Sequence, residues 1–133
     1  MTNVLARATQ SLLRIVSGLL FICPGALKIL GWFGGMPAGF ALTPLIRAAG
    51  WIELVGGTLI LLGLWTRPVA FICSGEMAVA YFYSHFPHGF WPIRNHGEQA
   101  VLFCFIFLFL SAAGAGPWSL DELIASRTSR TTD

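Results

Sequence analysis

Four ionisable residues stand inside long apolar stretches of this 133-residue chain: Lys28, Glu53, Glu76 and Glu98. Each of them belongs to a different stretch. A charged side chain at the centre of a bilayer costs about 2.5 to 3.5 kcal/mol, so such residues are expected to face one another or a cavity rather than lipid. Because carboxyl groups in an apolar cavity can exchange protons, Glu53, Glu76 and Glu98 are candidates for a proton relay.

The depths of these residues in an antiparallel arrangement predict a shared polar pocket in the outer half of the protein. Lys28 is expected to neutralise one glutamate, and Arg47 or Arg94 another near the surface. A buried carboxyl group without a partner is expected to be protonated, and Glu76 is the candidate. The predicted ligand-binding pocket consists of Lys28, Glu53, Glu76, Tyr83, His85, Asn95 and Glu98.

The segment HFPHGFWPIRNHGEQA, residues 85–100, carries all three histidines of the chain. His85, His88 and His96 are weak candidates for metal ligands, because no thiolate joins them and prolines and a glycine interrupt the pattern. A solvated loop with interfacial aromatic residues is favoured, and no metal is predicted. Asn95 is expected to cap the next helix and Glu98 to lie in its first turn.

The amino-acid composition indicates whether this chain is surrounded by water or by lipid. Hydrophobic residues make up 56% of the sequence and charged residues only 11%, whereas an ordinary soluble domain has about 25% charged residues. A water-soluble domain is therefore excluded, and a lipid bilayer is the expected partner. Eight basic and six acidic residues leave no electrostatic footprint for nucleic acid.

Apolar runs of about the 20 residues needed to cross a bilayer occur at four places. They predict spans at about 12–33, 45–65, 69–86 and 99–116, followed by a polar C-terminal tail, 119–133, that is frayed or lies at the interface. The expected fold is all-α, an integral membrane up-and-down four-helix bundle that forms a single domain over residues 1–133.

Basic residues orient these spans. Arg7, Arg14, Arg67, Arg127 and Arg130 fall on one side of an up-and-down arrangement. The positive-inside rule makes that side the cytoplasm, so both termini are predicted to be cytoplasmic and the histidine segment to lie outside.

Small residues surround Glu53, with Ala49, Gly50, Gly56 and Gly57 at helical spacings of three and four. This stripe predicts a close approach of a neighbouring helix, which would wedge Glu53 at an interface. Pro24 is expected to kink the first span before Lys28. The three cysteines, Cys23, Cys73 and Cys104, lie in separate apolar spans without a C-x-x-C motif and are interpreted as structural thiols.

Four segments in order, LLRIVSGLLFICPGALKIL, WIELVGGTLILLGLWTRPVA, EMAVAYFYSHFPHGFWPIRNHGEQAVLF and GAGPWSLD, resemble the DoxX family of small bacterial membrane proteins. The resemblance covers nearly the whole chain and implies a bacterial inner-membrane, multi-pass protein. The positions that match the family pattern are Lys28, Glu53, Gly56, Gly57, Gly63, Arg67, Asn95, Gly97, Glu98 and the segment from Gly116 to Asp121. His96 stands where relatives often have glycine, which argues against a metal site there.

The family is similar in turn to DoxD, the membrane subunit of a thiosulfate:quinone oxidoreductase. This implies a quinone-linked or accessory subunit of a membrane redox system, with quinone as a possible cofactor and none bound covalently. Because the chain supplies no electron carrier, electrons would come from an oxidoreductase partner or a sulfur donor. Two alternatives stay open, a transporter of a small solute or protons and a structural or assembly factor. A homo-oligomer is possible in each case.

Overall fold

The computed structural model describes residues 2–130, and every regular element in that range is helical. The α-helices are α1 (Thr2–Leu30), α2 (Pro44–Trp51), α3 (Gly57–Leu62), α4 (Thr66–Ala80), α5 (Pro92–Asn95), α6 (Glu98–Ala113) and α7 (Leu120–Arg130). One π-helical turn, Ile52–Gly56, joins α2 to α3, and another, Tyr81–His85, continues α4. The 3₁₀ turns are Trp32–Gly34 and Phe86–His88.

The all-α prediction is confirmed, and the four apolar runs coincide with α1, the segment Pro44–Leu62, α4 with its π turn, and α6. Two of these helices, Asn3–Leu30 and Pro44–Leu62, are long and apolar enough to cross a membrane, and Glu98–Ala113 is a shorter apolar helix. The gap predicted between the second and third spans, residues 66–68, is corrected, because Thr66 begins α4 and the chain turns earlier, where Gly63 and Trp65 have positive φ angles.

Glycines on both partners bring α1 against the segment Pro44–Leu62. A Cβ atom added to Gly57 would lie 2.9 Å from the backbone nitrogen of Ile22, and one added to Gly50 would lie 3.0 Å from Cβ of Lys28. Gly18 and Gly25 do the same from the side of α1, where an added Cβ would meet the backbone of the second segment. Backbones packed this closely gain van der Waals contact that larger side chains would prevent. The interface predicted around Glu53 is therefore confirmed.

A second pair forms between α4 and α6. The Ser74 hydroxyl donates to the carbonyl oxygen of Cys104 at 2.7 Å. Phe21 of α1 joins this pair by packing its ring against Phe103 and Phe107 of α6, with centroids 5.3 and 4.7 Å apart. The three cysteines are free thiols, in agreement with their structural interpretation.

Arg14 ties the ends of several elements together at the pole opposite Lys28. The residue is fully buried. Its guanidinium donates to the carbonyl oxygens of Ala115 at 2.8 Å, Ile60 at 2.7 Å and Leu61 at 2.5 Å, and also to that of Trp118. The bonds to Ile60 and Leu61 supply donors to carbonyl groups in the last turn of α3, where the regular helical pattern ends.

The Asp121 carboxylate completes the start of α4, because its oxygens accept hydrogen bonds from the backbone N–H groups of Trp65 at 2.8 Å and Thr66 at 2.9 Å. Arg67 donates to carbonyl groups at the end of α6, among them that of Ala112. Of the two expectations for the tail, fraying is wrong over residues 120–130, which form the exposed helix α7, and a position at the membrane interface stays a prediction. Residues 131–133 lie outside the described range.

Candidate functional site

Lys28 and Glu53 form a buried ion pair. Nζ of Lys28 lies 2.6 Å from Oε1 and 2.5 Å from Oε2 of Glu53, so the ammonium group binds both carboxylate oxygens. Glu53 is only 3% exposed. Lys28 stands in the last turn of α1 and Glu53 in the π-helical turn Ile52–Gly56. π-helical turns often mark functional sites because they displace one residue from the regular helical register.

Glu76 faces the same place from α4. It lines a cavity of about 310 Å³ together with Lys28, Glu53 and Tyr83. Its Oε2 atom is buried and has no hydrogen-bond partner among the residues that the structure describes. The only other buried side-chain oxygen in that state within residues 2–130 is Oγ1 of Thr66. A buried polar atom without a hydrogen-bond partner lowers the stability of the fold unless a ligand or a water molecule forms a hydrogen bond with it.

A second cavity, of about 280 Å³, lies between α1, α2, α4 and α6 and is also lined by Lys28 and Glu53; it is called the central cavity below. His85 and His96 contribute to its wall. The ion pair therefore borders two cavities at once. Sequence reasoning missed two residues of the loop between α1 and α2 that line this cavity, Met36 and Phe40, because nothing in the composition of the loop indicates which of its side chains face the cavity.

Asn95 has a different role from the one predicted. Its Nδ2 donates to the carbonyl oxygen of Gly89 at 2.7 Å and to the Tyr81 hydroxyl at 3.2 Å, and its Oδ1 accepts from the N–H of Gly97 at 2.8 Å. Tyr81 in turn donates to the carbonyl oxygen of Phe90. Asn95 is thus a buried residue whose side-chain hydrogen bonds fix the conformation of the histidine segment, residues 85–100.

The expected capping of α6 is corrected in the same region. Asn95 ends α5, and Gly97 rather than Asn95 precedes the first residue of α6, which is Glu98. The physical reason is that His96 adopts a left-handed backbone with φ 58°, which breaks the helix between Asn95 and Glu98. Gly97 is required, since a Cβ atom there would lie 2.7 Å from the Tyr81 ring.

Glu98 is not brought to the ion pair. Its side chain is exposed, and it is absent from the walls of both cavities described above. His88 is likewise exposed, with Nδ1 3.2 Å from the carbonyl oxygen of Ser84. Nδ1 of His85 lies 3.0 Å from the carbonyl oxygen of Asn95. Within residues 2–130, no three His, Cys, Asp or Glu side chains are grouped so that they would hold a metal ion.

Of the predicted pocket, the structure therefore assembles Lys28, Glu53, Glu76 and Tyr83 around one cavity and places His85 in the other. The ion pair, the unpartnered carboxyl oxygen of Glu76 and the phenol of Tyr83 provide hydrogen-bond donors, acceptors and an exchangeable proton in a cavity with otherwise mostly apolar walls. Such an arrangement can orient a small polar ring and can give protons to it or take them from it.

Comparison with known proteins gives one family. The sequence profile of the DoxX family matches residues 9–86. An uncharacterized protein of Haemophilus influenzae is 44% identical over 115 residues, which cover 83% of this chain and 86% of that protein. An uncharacterized membrane protein of Mycobacterium tuberculosis is 29% identical, with 86% of this chain and 80% of that protein covered. No solved structure gives a significant match.

Proposed function

Because this chain belongs to the DoxX family of membrane proteins, we propose that it is a quinone-binding accessory subunit of a membrane redox system. The observation that carries the proposal is the buried Lys28–Glu53 pair, which borders two cavities and has the unpartnered Oε2 atom of Glu76 beside it.

In this proposal the protein crosses the bacterial inner membrane as an up-and-down bundle of four helical segments. The arginines Arg7, Arg14 and Arg67 then lie toward the cytoplasm with both termini, and the histidine segment lies outside. The shorter apolar helix α6 and α4 with its π turn complete the bundle begun by the two longer helices. A tilted arrangement and local thinning of the bilayer accommodate segments of unequal length.

The residues present fit a quinone head group. The cavity of about 310 Å³ is at the lower end of the range for small-molecule sites, about 300 to 1,000 Å³, and the cavity of about 280 Å³ lies just below that range. The Lys28 ammonium, which borders both cavities, would donate to a ring carbonyl oxygen in the cavity of about 280 Å³, and the Glu76 carboxyl group would exchange protons from the neighbouring cavity of about 310 Å³. When bound, a quinone supplies an acceptor for a pair of electrons together with a pair of protons.

The chain's own contribution is therefore binding and proton exchange. Glu53 holds the ammonium group of Lys28 in place, and Glu76 gives up or accepts a proton at its carboxyl oxygen. Electrons arrive from a partner oxidoreductase or a sulfur donor, since the sequence contains no recognised motif for a redox cofactor. A homo-oligomer is compatible with this role.

The proposal is tested by purifying the protein from native membranes in mild detergent and measuring the quinone that accompanies it by mass spectrometry. Glu53→Gln removes a buried acid of the site, and Glu98→Gln is the matched control because Glu98 is exposed and lies outside both cavities. We expect stoichiometric quinone in the wild type and the control, and an affinity about tenfold lower in Glu53→Gln. Wild-type protein that carries and binds no quinone refutes the proposal.

One observation favours a second candidate, transport of a small solute or proton. An ion pair that borders two cavities has the position of a gate between them. Flux measurements in vesicles separate the candidates, because a transporter moves protons or solute without a redox partner. If Glu53→Gln lowers protein amount and assembly but leaves binding intact in the remainder, the pair is structural and the protein is an assembly factor.

A further inference from the structure

The two helix pairs leave an apolar groove between α1 and α6, which touch each other in few places. The groove has a volume of about 580 Å³. Its walls are formed by side chains such as Leu20 of α1 and Leu102 of α6, both more than half exposed. No acidic or basic side chain of the described residues lines it. It therefore opens toward the surroundings of the protein and offers a seat that is apolar apart from Ser17 and Gln99.

This groove is adjacent to the central cavity. Pro24, Gln99 and Phe103 line both, so the groove and the cavity lie on opposite sides of the same three residues. Phe103 stacks on Phe107 with ring centroids 5.5 Å apart. On the inner side of these residues the cavity wall contains Lys28 and Glu53. The side chains of Pro24, Gln99 and Phe103 thus separate the groove from the cavity that holds the ion pair.

We propose that the α1–α6 groove seats the flexible apolar tail of a ligand whose polar ring lies in the central cavity, and that this ligand enters sideways from the bilayer between α1 and α6. The inference rests on the proposed function and specifies its ligand as a quinone ring attached to an isoprenoid chain. A phospholipid does not fit, because its charged head group belongs at the membrane surface and not at a buried ion pair.

The groove would bind the tail by its shape and not by the hydrophobic effect, since the surrounding lipid tails are as apolar as the leucines that line the groove. A tail needs an exit from the cavity that a closed helix–helix contact would not provide. The opening on the opposite side, between the segment Pro44–Leu62 and α4, is smaller, at about 310 Å³, and carries Glu76. An apolar chain is better accommodated by the groove without ionisable groups.

Adjacent leucines of α1 supply a matched pair of variants. Leu20 is 54% exposed and lines the groove, whereas Leu19 is 53% exposed and lines none of the cavities or grooves described above. Leu20→Trp fills the groove, and Leu19→Trp adds the same bulk to the same helix elsewhere. Ile72→Trp, in the wall of the opposite opening, tests the other route.

Binding is measured with two probes, a benzoquinone or naphthoquinone ring bearing an isoprenoid tail and the same ring without a tail. We expect Leu20→Trp to weaken binding of the tailed ring about tenfold or more and to leave the tailless ring unchanged, while Leu19→Trp and Ile72→Trp affect neither.

The inference is overturned if Leu20→Trp binds the tailed ring as the wild type does, or if Ile72→Trp is the variant that loses it. In both cases the proposed function stands, because the wild type still binds the ring. If the wild type binds neither probe, the proposed function fails and the inference fails with it.

Discussion

Replacing Lys28 by methionine tests how strongly the ion pair stabilises the protein. Methionine keeps the length and the apolar part of the side chain and removes the ammonium group, so Glu53 stays buried without its cation. The structure gives two charge-assisted hydrogen bonds, at 2.6 and 2.5 Å. Hydrogen bonds to charged groups are worth about 1.5 to 3 kcal/mol each, and breaking a buried pair from one side costs about 3 to 5 kcal/mol.

The double variant Lys28→Met/Glu53→Gln provides the comparison. With both charges removed, no uncompensated charge is left at the interface between α1 and the π-helical turn. We therefore expect the double variant to recover most of the stability lost by Lys28→Met, to within about 1 to 2 kcal/mol of the wild type. Quinone binding should not recover with it, because the donor on Lys28 is still missing.

The assay is unfolding by sodium dodecyl sulfate in mixed micelles, followed by tryptophan fluorescence, for the wild type, both single variants and the double variant. The reasoning is refuted if Lys28→Met costs less than about 1 kcal/mol, a value typical of exposed pairs. It is also refuted if the losses of the two single variants simply add in the double variant, since residues in contact should show coupling.

Two further predictions concern packing and helix ends. Gly57→Ala should lower the free energy of unfolding by about 1 to 3 kcal/mol, because the new methyl group meets backbone atoms of α1. The control Gly75→Ala should be neutral or stabilising, because an added Cβ atom there meets nothing within 4 Å. Equal losses of stability in the two variants would contradict the packing argument. Asp121→Ala should cost about 0.5 to 2 kcal/mol by leaving two N–H groups of α4 without acceptors. Its control Glu122→Ala removes only an exposed carboxylate 3.8 Å from Arg7 and should cost less than about 0.5 kcal/mol; a shared unfolding midpoint would show that Asp121 does not cap α4.

The elements and the centre of the site follow from local patterns in the sequence. Hydropathy locates the helices because the apolar runs are long and the turns between them are rich in glycine, proline and polar residues. The pairing of Lys28 with a glutamate follows from the cost of leaving either charge alone among apolar residues, and the small residues around Glu53 place that carboxylate at an interface. The structure identifies Glu53 as the partner. Glu76 and Tyr83 fall on one helical face by simple spacing, and the structure puts both on the wall of the same cavity.

What the sequence does not reveal depends on long-range contacts and on irregular turns. Arg14 counts as one more positive charge near a predicted span, yet its partner Ala115 is 101 positions away and no local pattern joins them. The π-helical turn Tyr81–His85 follows no recognisable composition, so the buried role of Tyr81 was missed. The break at His96 likewise moves the start of α6 from Asn95 to Gly97, although Glu98 lies in the first turn of α6 as predicted.

The buried guanidinium of Arg14 also has a consequence for how the protein is made. Its acceptors include Ala115 and Trp118, which follow α6, and Asp121 from the same segment completes the start of α4. While the ribosome is still synthesising α6, Arg14 and the first turn of α4 therefore lack part of their hydrogen bonding. The segment that emerges after α6 closes the structure, so a nascent chain stalled before it would expose unsatisfied polar groups and would be a natural target for membrane proteases.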